Sequence, residues 1–235
     1  GADARLFEAV EAGDLAAAQA AVPYGASVRA QRVDGQEPLD VACAYGHLDI
    51  AQWLHSEGAS VSDRDAGQWT PLRLACYNGH LDIAQWLHSA GASLDATNIL
   101  GMTLLHQACN EGELNIAQWL HSMGASVSST GRDGDTPLHQ ACHEGRLDIA
   151  QWLHRAGASL DATTSDGYTP LHLACDEGRL EVAQWLCSAG ADATLKTNEG
   201  STPAQVLQRH ARFIQLNDNQ QALRSTLACL VRRAQ

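Results

Sequence analysis

A fixed interval of 33 residues governs this chain. Trp53, Trp86, Trp119, Trp152 and Trp185 keep it, as do Cys43, Cys76, Cys109, Cys142 and Cys175, and the Gly-Ala pairs beginning at Gly58, Gly91, Gly124, Gly157 and Gly190. A period of this size, sustained copy after copy, confines the chain to a stack of like supersecondary units, each packing on its neighbours. The 235 residues therefore predict one continuous elongated domain. Six of the twelve aromatics are Trp, five of them in the repeat, so the core must come mainly from Leu, Ala, Ile, Val and Cys. Side chains of that size suit closely packed helices.

Full copies run over about 34–66, 67–99, 100–132, 133–165 and 166–198, with a degenerate copy at 1–33 before them and a register failure at 199–235 after them. The stretch Thr136 to Ala158 shows the design. Thr136 suits an N-cap and Pro137 the first helical position, where a missing N–H costs nothing. Gly145 and Gly157 can adopt the left-handed conformation that ends each helix. At 100° per residue the first helix places Leu138, Ala141 and Cys142 on one side and His139, Gln140, His143 and Glu144 on the other. In the second helix Ile149, Ala150 and Leu153 form the buried centre, Asp148, Gln151 and Arg155 the solvent face, and Trp152 and His154 its two borders.

Those borders must meet different neighbours. His occupies its position at 55, 88, 121 and 154 whenever the next copy has Trp, and becomes Cys187 where the next unit has none. Inter-repeat contacts His55–Trp86, His88–Trp119, His121–Trp152 and His154–Trp185 are expected. This histidine ladder reads as structural, with a loss of stability in acid if its rings are partly buried. In the first copy, Leu6, Ala9 and Val10 fall on the core positions and Asp3, Glu8, Glu11 and Asp14 on the outer face, as a terminal cap requires. At the other end Gln205–Leu216 and Asn219–Arg233 read as two longer helices, with Leu223, Leu227, Leu230 and Val231 as an apolar stripe and arginines outward.

The formal charge of -12 is uneven: residues 1 to 198 hold 10 basic and 25 acidic side chains, residues 199 to 235 hold 5 and 2. A phosphate backbone would be repelled by most of this surface, so nucleic acid is not an expected partner. The five period-spaced cysteines stand on stacked helices, about 8–10 Å apart, beyond the ~7 Å Cα limit for a disulfide. Reduced thiols in a cytoplasmic, reducing compartment are the expectation. No signal peptide is expected, and no apolar run is long enough to span a bilayer. Gly1 in place of methionine suggests a processed or trimmed chain.

The pattern G-x-T-P-L-H-x-A-x-x-x-G-x-x-x-(I/V)-A-x-x-L-x-x-x-G-A, clearest at Gly134 to Ala158 and Gly167 to Ala191, resembles the ankyrin repeat over roughly residues 2 to 207. The resemblance implies an all-α repeat solenoid: helix-turn-helix units with β-turn fingers, five full repeats, an N-terminal capping repeat and a C-terminal helical cap. It also implies protein binding on the concave side, through finger tips and the exposed side of helix one. His106, His139 and His172 match the family's Thr-x-x-His bond. Asp40 and Arg73 do not, so looser or rearranged fingers are expected there, and Gln68 stands in the finger-glycine place, with Gly67 one residue early, so that turn should differ.

Carried over copy by copy, the recognition positions divide in two. Tyr45, Trp69, Tyr77, Ile99, Leu100 and Met102 are apolar or aromatic where folding does not need it. Glu111, Asp133, Asp135, Glu144, Asp176 and Glu177 make the second half acidic, with His143 and Tyr168 among them. The expected partner is a protein or peptide offering an apolar anchor to the first half and Arg or Lys to the second, bound by a monomer. Two alternatives remain open: a regulatory or inhibitory subunit that occludes an enzyme, and a structural scaffold or spacer. His139, Cys142 and His143 invite a metal reading, but Cys142 points to the opposite, buried side. With no phosphate loop, nucleophile elbow or carboxylate pair, no catalytic residue, metal or cofactor is expected.

Overall fold

The computed structural model describes residues 1–213 and 220–233. Every regular element among them is helical. The helix ends expected at Leu216 and Asn219, and the side chain of Leu223, lie outside the described residues. The chain divides into two compact units, Gly1–Asn98 and Ile99–Gln235.

The first unit holds α1 (Ala2–Ala12), α2 (Leu15–Ala21), α3 (Pro38–Tyr45), α4 (Leu48–Ser56), α5 (Pro71–Tyr77) and α6 (Leu81–Ser89). Each odd helix pairs with the even one after it, and α1, α3 and α5 pack in sequence as one layer behind the fingers. Leu6 and Val10 of the degenerate copy and Ile50, Ala51 and Leu54 of α4 are wholly buried. Each buried Leu or Ile contributes about 1.5–3 kcal/mol.

The second unit repeats the scheme with α7 (Leu104–Glu111), α8 (Leu114–Ser122), α9 (Pro137–Glu144), α10 (Leu147–Arg155), α11 (Pro170–Asp176) and α12 (Leu180–Ala189), and ends in α13 (Pro203–Phe213) and α14 (Gln220–Arg233). The helix-one layer runs α7, α9, α11, α13. Thr136 caps α9 and Gly145 (φ 75°) and Gly157 (φ 97°) are left-handed, as their places in the repeat predict. In the C-terminal helix Leu230 is buried but Val231 is exposed. The expected four-residue stripe is therefore narrower, because Val231 lies one residue, about 100°, around the helix from Leu230.

Three kinds of joint hold successive copies together. Finger meets finger through main chain: the Ala66 N–H donates to Asp34 O in the first unit, and in the second Arg132 donates to Leu100 O, Ser165 to Asp133 O and Asn198 to Asp166 O. Behind the fingers the histidine borders meet tryptophan, His55–Trp86 at 5.9 Å in the first unit, His121–Trp152 at 5.8 Å and His154–Trp185 at 6.1 Å in the second, all edge-on. The fourth expected pair, His88 and Trp119, falls in different units. The same imidazoles also bond the loop just after their own helix, His55 Nδ1 to Ala59 O at 2.9 Å and His121 Nδ1 to Ala125 O at 3.0 Å.

The third joint is not visible in the repeat motif. The residue after the helix-one glycine reaches back 36 positions to a carbonyl of the preceding copy: His47 to Glu11 O, His80 to Ala44 O, Arg146 to Asn110 O and Arg179 to His143 O, at 3.0–3.2 Å. Glycine is favoured opposite each of them. A Cβ on Gly46 would lie 2.6 Å from the His80 ring, and its φ of 85° disfavours any side chain.

Three expectations need correction. His139 does not lie on the open side of α9; it is fully buried, as are His106 and His172 nearly so. Its Nδ1 accepts the Thr136 N–H (3.1 Å), and its Nε2–H donates to Tyr168 O of the next finger (3.0 Å), which folds the ring inward. Near Gln68 the turn does not differ. Gln68 itself takes the left-handed conformation (φ 65°) and keeps the pattern of the other fingers, Asp65 N–H to Trp69 O and Gln68 N–H to Asp65 O, both 3.0 Å. Nor do Asp40 and Arg73 loosen their fingers. Asp40 Oδ2 accepts the Glu37 N–H at 2.9 Å in a capping box, and Arg73 Nη2 reaches Ala96 O at 2.9 Å. The change is confined to partners behind the turn.

A non-glycine left-handed residue costs about 1–2 kcal/mol, of which glycine's extra unfolded-state entropy returns about 0.4–1. Gln68→Gly is therefore expected to stabilise the first unit by about 0.5–1 kcal/mol. A lowered urea midpoint would contradict this.

Candidate protein-binding surface

In the first unit the surface is built by two fingers, 32–36 and 65–69, and two helix-one C-termini. Trp69 ends the finger before α5 and Tyr77 ends α5 itself. Their rings meet edge to face, centroids 5.3 Å apart at 82°. Both line a groove of about 510 Å³ with Asp34, Gln36, Asp65, Ala66, Gly67, Leu74 and Asn78. The early glycine suits this site: a Cβ on Gly67 would stand 3.1 Å from Trp69 Cδ1, so a side chain at 67 would push the indole off this backbone by a few tenths of an ångström. Asp65 Oδ1 accepts the Trp69 N–H at 2.8 Å and fixes the indole's base. Tyr45, 56 % exposed, stacks instead on His47 at 6.4 Å and is not part of the groove lining.

In the second unit Ile99 and Leu100 form an exposed fingertip, 70 % and 50 % accessible. Met102 is half-buried because its thioether lies on the next finger, 2.9 Å from where a Cβ of Gly131 would stand. Asp133 and Asp135 serve the fingers through their carbonyls, which accept from Ser165 N–H and from His106 Nε2–H; the Asp133 side chain is free in solvent. The Tyr168 ring tilts over His172 at 5.7 Å and is half-buried.

The acids are gathered rather than scattered. His143 Nδ1 is 2.8 Å from Glu144 and its Nε2 3.4 Å from Glu177. Asp176 and Glu199 flank Arg209 at 3.9 and 3.8 Å. Burial pushes the Glu111 carboxyl upward; Arg146 opposes this, and Glu144 and Glu113 add to it. Such a cluster favours an incoming cation and repels an anion. Burial likewise drives the Cys76 thiol up to about 12, so it stays protonated and inert, and among the described residues no cysteine is in a disulfide. Among the described residues no group of three or more His, Cys, Asp or Glu could hold a metal ion.

Besides Trp69, Tyr77 and the early Gly67, the groove residues Asp34, Gln36, Asp65, Ala66, Leu74 and Asn78 were not singled out by sequence. Leu74, almost buried, and Asn78, whose amide bonds Leu74 O, complete the groove beneath Tyr77. Asn78 could have been found by register, since it stands where other copies have Tyr45, Glu111, Glu144 and Glu177, whereas Leu74 has no candidate at its place in any other copy. Val33, fully exposed at the first fingertip, could have been found by register with Ile99.

A family model described as ankyrin repeats (3 copies) matches residues 6–98 and again 105–197. The chain belongs to the ankyrin repeat family. Among solved structures it is similar to the human ASB11 ankyrin repeat domain, with a TM-score of 0.79 and 26 % identity over 94 % of this chain and 96 % of that one. No curated protein matches significantly. Ankyrin repeats are in general protein–protein interaction modules, a fold of recognition rather than catalysis. No helix among the described residues is long and apolar enough to cross a membrane.

Proposed function

We propose that this protein is a recognition module that binds a protein or peptide segment, as a monomer, on its finger and helix-one surface. The first unit takes an anchor residue in the Trp69–Tyr77 groove; the acidic cluster around His143, Glu144 and Glu177 takes Arg or Lys of the same partner. The observation that carries this reading is the aromatic pair at the groove, Tyr77 exposed and Trp69 half-buried. Neither ring is needed for the layer behind it, and open grooves lined by Trp and Tyr are where binding energy concentrates.

Affinity capture with the full chain as bait, followed by measured affinity for the captured partner, tests it. Trp69→Ala is expected to weaken binding by about thirtyfold or more, corresponding to a hot spot of about 2 kcal/mol. Glu144→Lys should cost about tenfold and flatten the salt dependence. Unchanged affinity in both variants would remove this surface from consideration.

A further inference from the structure

We infer that the Trp69–Tyr77 groove is a site for a basic side chain, so that the anchor offered to the first unit is the aliphatic stem and charged head of a Lys or Arg on the partner protein. The inference rests on the finger and helix-one surface being the partner surface. It changes what that surface asks of its partner.

The groove is aromatic and aliphatic on one side and anionic on the other. Trp69, Tyr77 and Leu74 supply the apolar part, Asp34 and Asp65 the carboxylates, within about 510 Å³. A purely apolar anchor would leave both carboxylates facing a low-dielectric contact, at a desolvation cost. A long basic side chain suits both parts, its methylenes against Leu74 and Ala66 and its charge near the ring faces and the acids. No lining residue is basic. The nearby arginines are committed elsewhere, Arg64 to Gln68 O at 3.1 Å and Arg73, buried, to Ala96 O.

The two carboxylates are held ready. Asp65 is nearly buried and fixed by the Trp69 N–H, while Asp34, exposed, accepts the Gln36 N–H at 3.1 Å and passes its carbonyl to Ala66. Unit one is also the more acidic part: residues 1–98 carry 13 acidic and 5 basic side chains, a formal -8 of the total -12. Long-range attraction and local geometry therefore favour the same class of occupant.

The test uses the full chain, labelled for NMR, with the Trp69 indole resonance identified by its loss in Trp69→Phe. Capped glycine-serine peptides carrying one central Lys, one Arg or one norleucine are the probes. The basic peptides should shift the Trp69 indole, with the norleucine peptide at least about tenfold weaker, a difference within the range of a cation–π contact reinforced by charge. Salt should weaken the basic peptides alone. Asp34→Asn, a surface change that keeps the acceptor for Gln36, should weaken them about threefold while leaving the norleucine peptide unaffected.

Norleucine binding as tightly as lysine would overturn the inference and leave the groove an apolar anchor site. No shift with any peptide would overturn it as well. In neither case does the result depend on the partner captured through Glu144, which decides the broader reading separately.

Discussion

Asp40→Asn is expected to stabilise residues 1–98 at pH 8 and to abolish a pH dependence that the wild-type unit carries. Asp40 stands where the three copies of the second unit have histidine. It is 5 % exposed, and its Oδ1 has no hydrogen-bond partner. Burial is the main reason its carboxyl is pushed up to about 7 from 3.8; the Glu37 N–H opposes this, and the carboxylates of Asp65, Glu37 and Asp63 add to it. A value raised in the folded state means the proton is held there after the unfolded chain has lost it. The associated stability is complete below about pH 4 and falls as pH rises toward 7. The full span is on the order of 4 kcal/mol. Asparagine keeps the acceptor for Glu37 and carries no charge, so a gain on the order of 2–4 kcal/mol is expected at pH 8. Segment-resolved hydrogen exchange of α3 and α5 at pH 5 and 8, corrected for intrinsic rates, measures it. Equal protection of wild type and variant at pH 8 would show that the buried carboxyl costs nothing.

The second unit should respond to acid in the opposite sense, and His139→Ala should damage it severely. His106, His139 and His172 are buried, and burial holds each imidazole below its usual range. Hydrogen bonding favours the same neutral form. In each, Nδ1 accepts the N–H of the Thr three residues earlier, and Nε2–H donates to a finger carbonyl 29 residues on. A second proton on Nδ1 would break the first of these bonds. With a depressed folded value, the stability these rings add is present above about pH 6.5 and is lost as pH falls below it. Truncating His139 strands the Tyr168 carbonyl and the Thr136 N–H in the interior, at a cost of about 3 kcal/mol. Exchange protection of α9 and α11 should drop on acidification in wild type, and in His139→Ala it should already be low at pH 7. A loss under about 1 kcal/mol would mean water replaces the ring.

Acidification from neutral pH thus strengthens the first unit at Asp40 and weakens the second at its three histidines. The cause is one substitution within a repeated position. A carboxyl and an imidazole in the same buried cap both favour their neutral forms, and those forms lie on opposite sides of a proton exchange.

The helical pairs, their caps and the tryptophan joints were legible in the chain. Trp152 and His121 could be matched because a fixed period and the 100° geometry of a helix place both on facing borders, and local rules suffice for that. The acidic cluster was legible as composition, since register alone put Glu144 and Glu177 on the same side of neighbouring copies. Gln68 was misread because turn preference argues for a different turn, whereas two finger hydrogen bonds enforce the glycine conformation on whatever residue falls there. Arg146 and Arg179 were passed over for a similar reason. Their bonds run 36 residues back, longer than the repeat, so no single copy contains both partners.

What the residues in order dictate is periodic: where each helix starts and stops, which stripe is buried, and which border meets the next copy. These follow from interactions within one repeat or between identical ones. Three-dimensional packing settled the rest. It turned His139 inward, left Asp40 Oδ1 unpartnered, and brought Trp69, Tyr77, Asp34 and Asp65 around one groove. Each depends on which side chains from different copies meet, and on how much water they exclude, which periodicity does not encode.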